Sequence, residues 1–454
     1  MRNSTFNIQS SIFNMQILRL AVPSVVTNIT VPLLGLVDTT VVGHMGRAEY
    51  IAAVAIGSTI FNMVYWLFGF LRMGTTGIVS QAHGAGDERG IREGLMHSLT
   101  FGLFISFCIL LLQTPLLRIA LWIMEPSQEV AHLASDYFRV CIWGAPAMLS
   151  SYALSGWFIG MQDTRTPMRM AILQNLLNIL CTILFVFVFH LGVQGVALGT
   201  VVGLYCGCAY AAHRAHREDR DILGVQTESI NMKVKNSVCS VFSASSVYVY
   251  IFLRTLCLVA VTVYFTTAGS RMGTMVLDAN ALLMQFFMVF SYFTDGLANA
   301  AEALSGEYVG RQDRVGLRLV IRSLFLWGFV LALVFTVLYA LCGAWILTLF
   351  TNQQEVVTFA RPYLPWIVAV PLVGFAAFVW DGVYIGMTLT SRMFVSMLVS
   401  ALVFFASWFL LHHFTQSQAD FHASQLGNHA LWFSFLAYLA TRSLMQTLLF
   451  GRKK

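Results

Sequence analysis

Asp38 is the residue whose chemistry stands out first. It lies in the outer third of an apolar run, Val31-Pro-Leu-Leu-Gly-Leu-Val-Asp-Thr-Thr-Val-Val-Gly43, with no Lys or Arg within one helical turn. An ionised Asp at the centre of a bilayer costs roughly 3 kcal/mol on insertion scales, so a carboxyl in this setting is best kept neutral by a proton. A group poised in this way takes a proton from one side and releases it to the other. Pro23 and Pro32 each remove a backbone hydrogen bond from the same helix, which lets it bend near the carboxyl.

A second set of ionisable side chains lies in the other half of the chain. Asp295, Asn299 and Glu302 are spaced by four and three residues, which puts all three on one helical face. Arg254 and Arg72 both fall within apolar segments and need partners. The acidic stripe is expected to pair with Arg254 in its own bundle or with Arg72 across a cleft, and the spacing leaves both open. Asp381, in Trp-Asp-Gly-Val-Tyr-Ile-Gly, lies near the inner end of its span. Asp87, Asp163 and Asp313 sit beside arginines in loops and read as solvated charge.

The elements that hold these residues follow from composition. Of 454 residues, 57% are hydrophobic and 11% charged, against about 25% charged in soluble domains. Soluble multidomain, disordered and fibrous classes are excluded. The runs are too long for membrane strands and do not alternate with period two. They form twelve candidate helical spans, near 17–42, 51–78, 95–121, 133–156, 168–190, 192–213, 241–267, 275–303, 319–349, 358–383, 393–413 and 429–450. No removable leader is expected from the polar start.

Lys and Arg set the orientation. Twenty fall on inner segments, Arg442 among them, and four on outer segments, Arg47, Arg118, Arg271 and Arg361. This bias places both termini in the cytoplasm. The net charge of +6 is therefore a topology signal and points to no nucleic-acid partner.

The chain also repeats itself at an offset of 226 residues. Gly84 matches Gly310, Asp87 matches Asp313, Arg92 matches Arg318, Tyr137 matches Tyr363, and Ile159-Gly160-Met161 matches Ile385-Gly386-Met387. This divides the protein into an N-lobe at 1–213, a cytoplasmic linker at 214–240 and a C-lobe at 241–454. Six spans per half give two parallel bundles related by an axis along the membrane normal. An alternating-access transporter fits that plan, and a pseudo-symmetric channel is compatible with it.

Enzyme chemistry lacks its parts. There is no G-x-x-x-x-G-K-[ST], no H-E-x-x-H and no G-x-S-x-G. The eight cysteines mostly sit in apolar runs without metal-ligand spacing. Neither a cofactor nor a metal is implied, and a monomer is the default because each chain holds its own cleft.

Specific motifs add a resemblance. Asn28-Ile-Thr-Val-Pro-Leu-Leu-Gly-Leu-Val-Asp38 with Val42-Gly-His, Phe70-Leu-Arg-Met-Gly-Thr-Thr-Gly77, Asp295-Gly-Leu-Ala-Asn-Ala-Ala-Glu-Ala-Leu-Ser-Gly306, Asp381-Gly-Val-Tyr-Ile-Gly386 and Leu426-Gly-Asn-His-Ala-Leu-Trp432 resemble the multidrug and toxic compound extrusion (MATE) family, in its DinF-type bacterial branch. The resemblance implies an all-α membrane fold of twelve helices in two pseudo-symmetric six-helix bundles arranged in a V. It also implies a bacterial inner-membrane antiporter that exports organic, often cationic and lipophilic, compounds against protons or sodium. Asp38 would be the protonation site and attract a cationic substrate, and its protonation would be linked to bending of the first helix. Asn178 and Thr200 match polar members of the N-lobe cluster. The family pattern Asn-x-x-x-Asp reads Asn178-Ile-Leu-Cys-Thr182 here, so a threonine replaces the second carboxylate. A sodium site wants several oxygens with compensating charge, so protons are favoured over sodium. Asn62 and Tyr152 are the candidates for the N-lobe substrate cavity. The alternative within transport is a flippase for lipid-linked or amphiphilic substrates, which needs a basic cleft where this chain leans acidic.

Overall fold

The computed structural model describes residues 2–45, 47–223, 234–415 and 422–451, and no strand occurs among them. In the first half, α1 (Arg2–Gly43) precedes α2 (Ala48–Leu67) and α3 (Phe70–Ala85), which together make one crossing. Next come α4 (Glu88–Leu111), the short α5 (Gln113–Met124), and α6 (Gln128–Cys141) joined to α7 (Ala145–Gly160) by a 3-10 turn. Helix α8 (Arg165–Ile183) ends in a π turn at Leu184–Val188, and α9 (Gly192–Leu223) closes the half.

The second half holds α10 (Val234–Arg271), α11 (Thr274–Gly310), α12 (Arg314–Phe350), α13 (Gln354–Ala360) leading into α14 (Leu364–Gly386), α15 (Thr390–Thr415) and α16 (His422–Gly451). Among the described residues, nine helical segments are long and apolar enough to cross a membrane. With α1, the α6–α7 pair and α16, the crossings number twelve. The third crossing is shorter than the expected 95–121. Helix α4 already runs 24 residues, about 36 Å, which spans the hydrocarbon by itself. The chain breaks at Leu112, and α5 continues with Trp122 and Ile123 exposed.

The chain divides into two compact units. The N-unit comprises Arg19–Tyr248 with Gly306–Asp313, and the C-unit comprises Met1–Leu18, Val249–Ser305 and Arg314–Lys454. The N-unit has a core around Val79, Ile91, Trp157, Phe158 and Met170, in which Trp157 Nε1 donates to the Ile91 carbonyl at 3.1 Å. The C-unit core is aromatic, with Phe265, Phe286, Phe290, Phe335, Trp432 and Phe435 packed together and Tyr339 donating to the Phe286 carbonyl at 2.7 Å.

The 226-residue repeat reappears as local geometry. Helix α3 ends where the Asp87 N–H meets the Ala82 carbonyl at 2.9 Å, with Gly86 at φ +67°. Helix α11 ends where the Asp313 N–H meets the Tyr308 carbonyl at 3.0 Å, with Gln312 at φ +58°. Each is a left-handed helix stop that satisfies a terminal carbonyl. Asp87 and Asp163, expected to be plain loop charges, are helix caps: Asp87 Oδ1 accepts from the Gly90 N–H at 2.9 Å, and Asp163 Oδ1 from the Arg165 and Thr166 N–H groups at 2.9 and 3.1 Å.

Close helix packing repeats as well. A Cβ at Gly156 would overlap the Arg72 carbonyl and Thr75, and one at Gly382 would overlap the Ala298 carbonyl and Ala301. All three residues of the second contact lie 226 positions beyond those of the first. Small residues let helices touch backbone to backbone where lipid offers no hydrophobic drive to association. Gly156→Val and Gly382→Val should each destabilise the folded protein by about 1–3 kcal/mol or more, the usual cost of overpacking. Thermal unfolding in detergent checks this; an unchanged midpoint for either variant would contradict the packing.

Candidate functional site

Each unit holds a buried polar constellation among its described residues, and the two are built differently. In the N-unit, Asp38 is 7% exposed and its Oδ1 has no hydrogen-bond partner. Among the described residues no charged side chain faces it. Two neutral groups on α6, the Tyr137 phenol and the Cys141 thiol, lie within its electrostatic reach. The Tyr137 hydroxyl is 3.4 Å from Ser58 Oγ, and its ring lies against Gly57, where a Cβ would overlap it. The sequence marks Tyr137 only through the repeat, and Cys141 only as one of eight cysteines without metal-ligand spacing.

Helix α8 lies beside α1 and carries a second group of polar side chains. Asn175 Nδ2 donates to the Thr30 carbonyl of α1 at 3.0 Å, which fixes the level of the two helices. As the first and fifth crossings, they run in the same direction. Asp38 stands eight residues beyond Thr30 and Thr182 seven beyond Asn175, about 12 and 10.5 Å of helix rise, so both reach the same depth. Asn178 Nδ2 donates to Thr200 Oγ1 at 2.8 Å, and Thr200 Oγ1 in turn donates to the Val196 carbonyl at 3.2 Å. Asn178 Oδ1 and Thr182 Oγ1 are buried without partners. The π turn begins two residues after Thr182, an irregularity frequent at functional positions.

A glycine ladder on α9 makes this contact possible. Gly195, Gly199, Gly203 and Gly207 recur every four residues and press against Phe185, Thr182, Asn178 and Gln174 of the α8 crossing. This i, i+4 pattern was visible in the sequence and pointed to a close-packed face of α9. Of the two cavity candidates, Asn62 is exposed on α2, while Tyr152 is half-buried on α7 with Tyr65 and the half-buried Arg72 as electrostatic neighbours.

In the C-unit, Asp381 is 5% exposed and sits at the centre of an ionic node. Arg254 Nη2 and Arg442 Nη2 both donate to Asp381 Oδ2, and Gln446 Nε2 donates to Oδ1 at 2.5 Å. Arg254 thus forms an ion pair with Asp381 on α14, a partner that the spacing of the acidic stripe does not suggest. Arg442, counted among the inner-segment charges, is 2% exposed inside α16 and belongs to this node. A buried guanidinium needs a carboxylate at its own depth, and Asp381 meets that need from a neighbouring helix. Asn299 and Glu302 are buried on α11, and half-buried Asp295 accepts from Ser291 Oγ at 3.1 Å while lying within electrostatic reach of Arg442. Among the described residues, no three His, Cys, Asp or Glu side chains come together as a metal site.

The node predicts an order of stability. Asp381→Leu leaves two buried guanidiniums without their shared carboxylate, whereas Arg442→Met leaves a one-to-one Arg254–Asp381 pair. Breaking a buried pair costs about 3–5 kcal/mol, so Asp381→Leu should unfold well before Arg442→Met on heating in detergent. The reverse order would show that Asp381 is not the centre of the node.

Comparison with known proteins agrees with this architecture. The MatE family model matches residues 23–184 and 251–407. DNA damage-inducible protein F of Escherichia coli (strain K12) is 34% identical over 426 residues, covering 94% of this chain and 89% of that protein. A probable multidrug resistance protein NorM of Thermotoga maritima is 24% identical over 365 residues, covering 76% of this chain and 74% of its own length. A solved structure described as the outward-facing conformation of a multidrug resistance MATE family transporter superposes with a TM-score of 0.83 at 18% identity, covering 97% of each chain. These are membrane transporters, not enzymes. The chain is a multi-pass membrane protein with the twelve-helix fold and belongs to the MATE family of transporters.

Proposed function

We propose that this protein is a proton-coupled antiporter of the bacterial inner membrane, exporting organic, often cationic and lipophilic, compounds by alternating access with Asp38 as the protonation site. The observation that carries the reading is the environment of Asp38: a buried carboxyl, one oxygen without a partner, and no cation facing it among the described residues. A bare charge held there costs several kcal/mol, and either a proton or a cationic substrate removes that cost. The two therefore compete for one carboxyl. Ionised Asp38 attracts the substrate from the cytoplasmic side or inner leaflet; a proton arriving from outside neutralises the carboxyl and ends the attraction.

Asp381 supports the same assignment by exclusion. Two arginines already neutralise it, so it offers nothing to a coupling cation. The energetics are sufficient. One charge moving across 100 mV is worth about 2.3 kcal/mol, and each pH unit adds about 1.4 kcal/mol. Both termini are placed in the cytoplasm, and a single chain forms the working unit.

The test uses purified protein in liposomes with an imposed pH step and a fluorescent lipophilic cation. Wild type should transport without sodium, and Asp38→Asn should lose the pH-driven component. Transport that requires sodium, or survives the substitution, moves the ion site elsewhere. Thr182→Asp adds a second charged oxygen at the depth of Asp38. This variant should acquire a sodium-stimulated component, and its absence would separate Thr182 from the ion site.

A further inference from the structure

Helix α1 belongs to both units, starting in the C-unit and passing into the N-unit between Leu18 and Arg19. Within the C-unit it is held at residues 13–17. Phe13 is buried, Ile17 is 0% exposed, and the Asn14 side-chain oxygen accepts a hydrogen bond from Trp327 Nε1 of α12 at 3.0 Å. Helix α10 does the reverse, leaving the N-unit between Tyr248 and Val249. Its Tyr248 stacks on Phe101 of α4 with ring centroids 5.6 Å apart, and its hydroxyl lies 2.8 Å from Ser98 Oγ. Phe101 and Trp327 are 226 positions apart, so one position of the repeat anchors the incoming helix in each unit.

The two anchors differ in what lies beyond them. Only α1 carries a carboxyl further on, Asp38, 24 residues from Asn14. Pro23 stands between the two, just after the crossing from one unit to the other. With no N–H, it leaves the Arg19 carbonyl without its in-helix donor. The helix is thus held at residues 13–17, weakened where it changes units, and ionisable near its far end.

We infer that the Asn14–Trp327 hydrogen bond is a pin through which a change at Asp38 reaches the C-unit along α1. The inference rests on Asp38 being the protonation site proposed above. Asn14 and Trp327 are positioning residues that touch neither proton nor substrate. Without the pin, α1 responds to the proton inside the N-unit and the C-unit does not follow. Exchange of one substrate molecule for another cycles the loaded carrier without a proton step, so it does not need the pin.

The experiment measures two activities of the full-length protein in liposomes with ethidium as the probe: uptake driven by a pH step, and ethidium–ethidium exchange at equal pH. Trp327→Phe keeps the ring and removes the donor, Asn14→Leu removes the acceptor, and Asn14→Asp keeps an acceptor oxygen. Trp327→Phe and Asn14→Leu should each lose pH-driven uptake about fivefold, the equilibrium equivalent of one net hydrogen bond, with exchange unchanged. The double variant should be no worse than either single, because both remove the same interaction, and Asn14→Asp should retain coupling. Wild-type uptake in these variants, or loss of uptake and exchange in equal proportion, overturns the pin. Asp38→Asn in the same liposomes separates the two readings. If it keeps pH-driven uptake, the protonation site falls and the pin with it; if it loses uptake while Trp327→Phe keeps it, the pin alone falls.

Discussion

A bilayer core supplies neither water nor counter-ions, so every ionisable side chain within it must hold a partner or be able to shed its charge. The two units meet this constraint in opposite ways. Asp381 holds partners: Arg254 and Arg442 share one of its oxygens and Gln446 takes the other, all four side chains being buried. Among the described residues no cation faces Asp38, and its electrostatic neighbours include a phenol and a thiol. A paired carboxylate is a structural fixture. An unpaired one remains free to exchange protons, which is why the functional assignment goes to Asp38 although both are buried aspartates.

The internal repeat sharpens this contrast. Backbone features survive at the 226-residue offset: the left-handed stops of α3 and α11, the close approaches at Gly156 and Gly382, and the ring that anchors an incoming helix at Phe101 and Trp327. The two buried aspartates have no acidic mates at that offset. The positions 226 beyond Asp38 and before Asp381 are Tyr264 and Ser155. Close packing tolerates few substitutions because overlap is costly, whereas charges were free to diverge once each half had satisfied its own. The fold is thus symmetric in its steric rules and asymmetric in its electrostatics.

The twelve crossings and the prominence of Asp38 were legible in the sequence because each depends on local quantities: run length, and one acid in an apolar segment. The close-packed face of α9 was legible too, through glycines spaced by four. The Asp381 node was not. Arg254 and Arg442 lie 127 and 61 residues from Asp381, and Arg442 looks from its position near a span end like one more inner-face charge. The loop aspartates Asp87 and Asp163 were equally opaque, since a cap is recognised by which N–H groups point at it.

Sequence by itself determined that this chain lives in a membrane and that one carboxyl in its first helix needs an explanation. Those facts follow from transfer free energies that act residue by residue. Tertiary structure alone decided which acid is neutralised and which is not, and which unit holds each end of α1. Pairing and anchoring depend on side chains distant in the chain reaching the same depth and facing one another, and no local pattern carries that geometry.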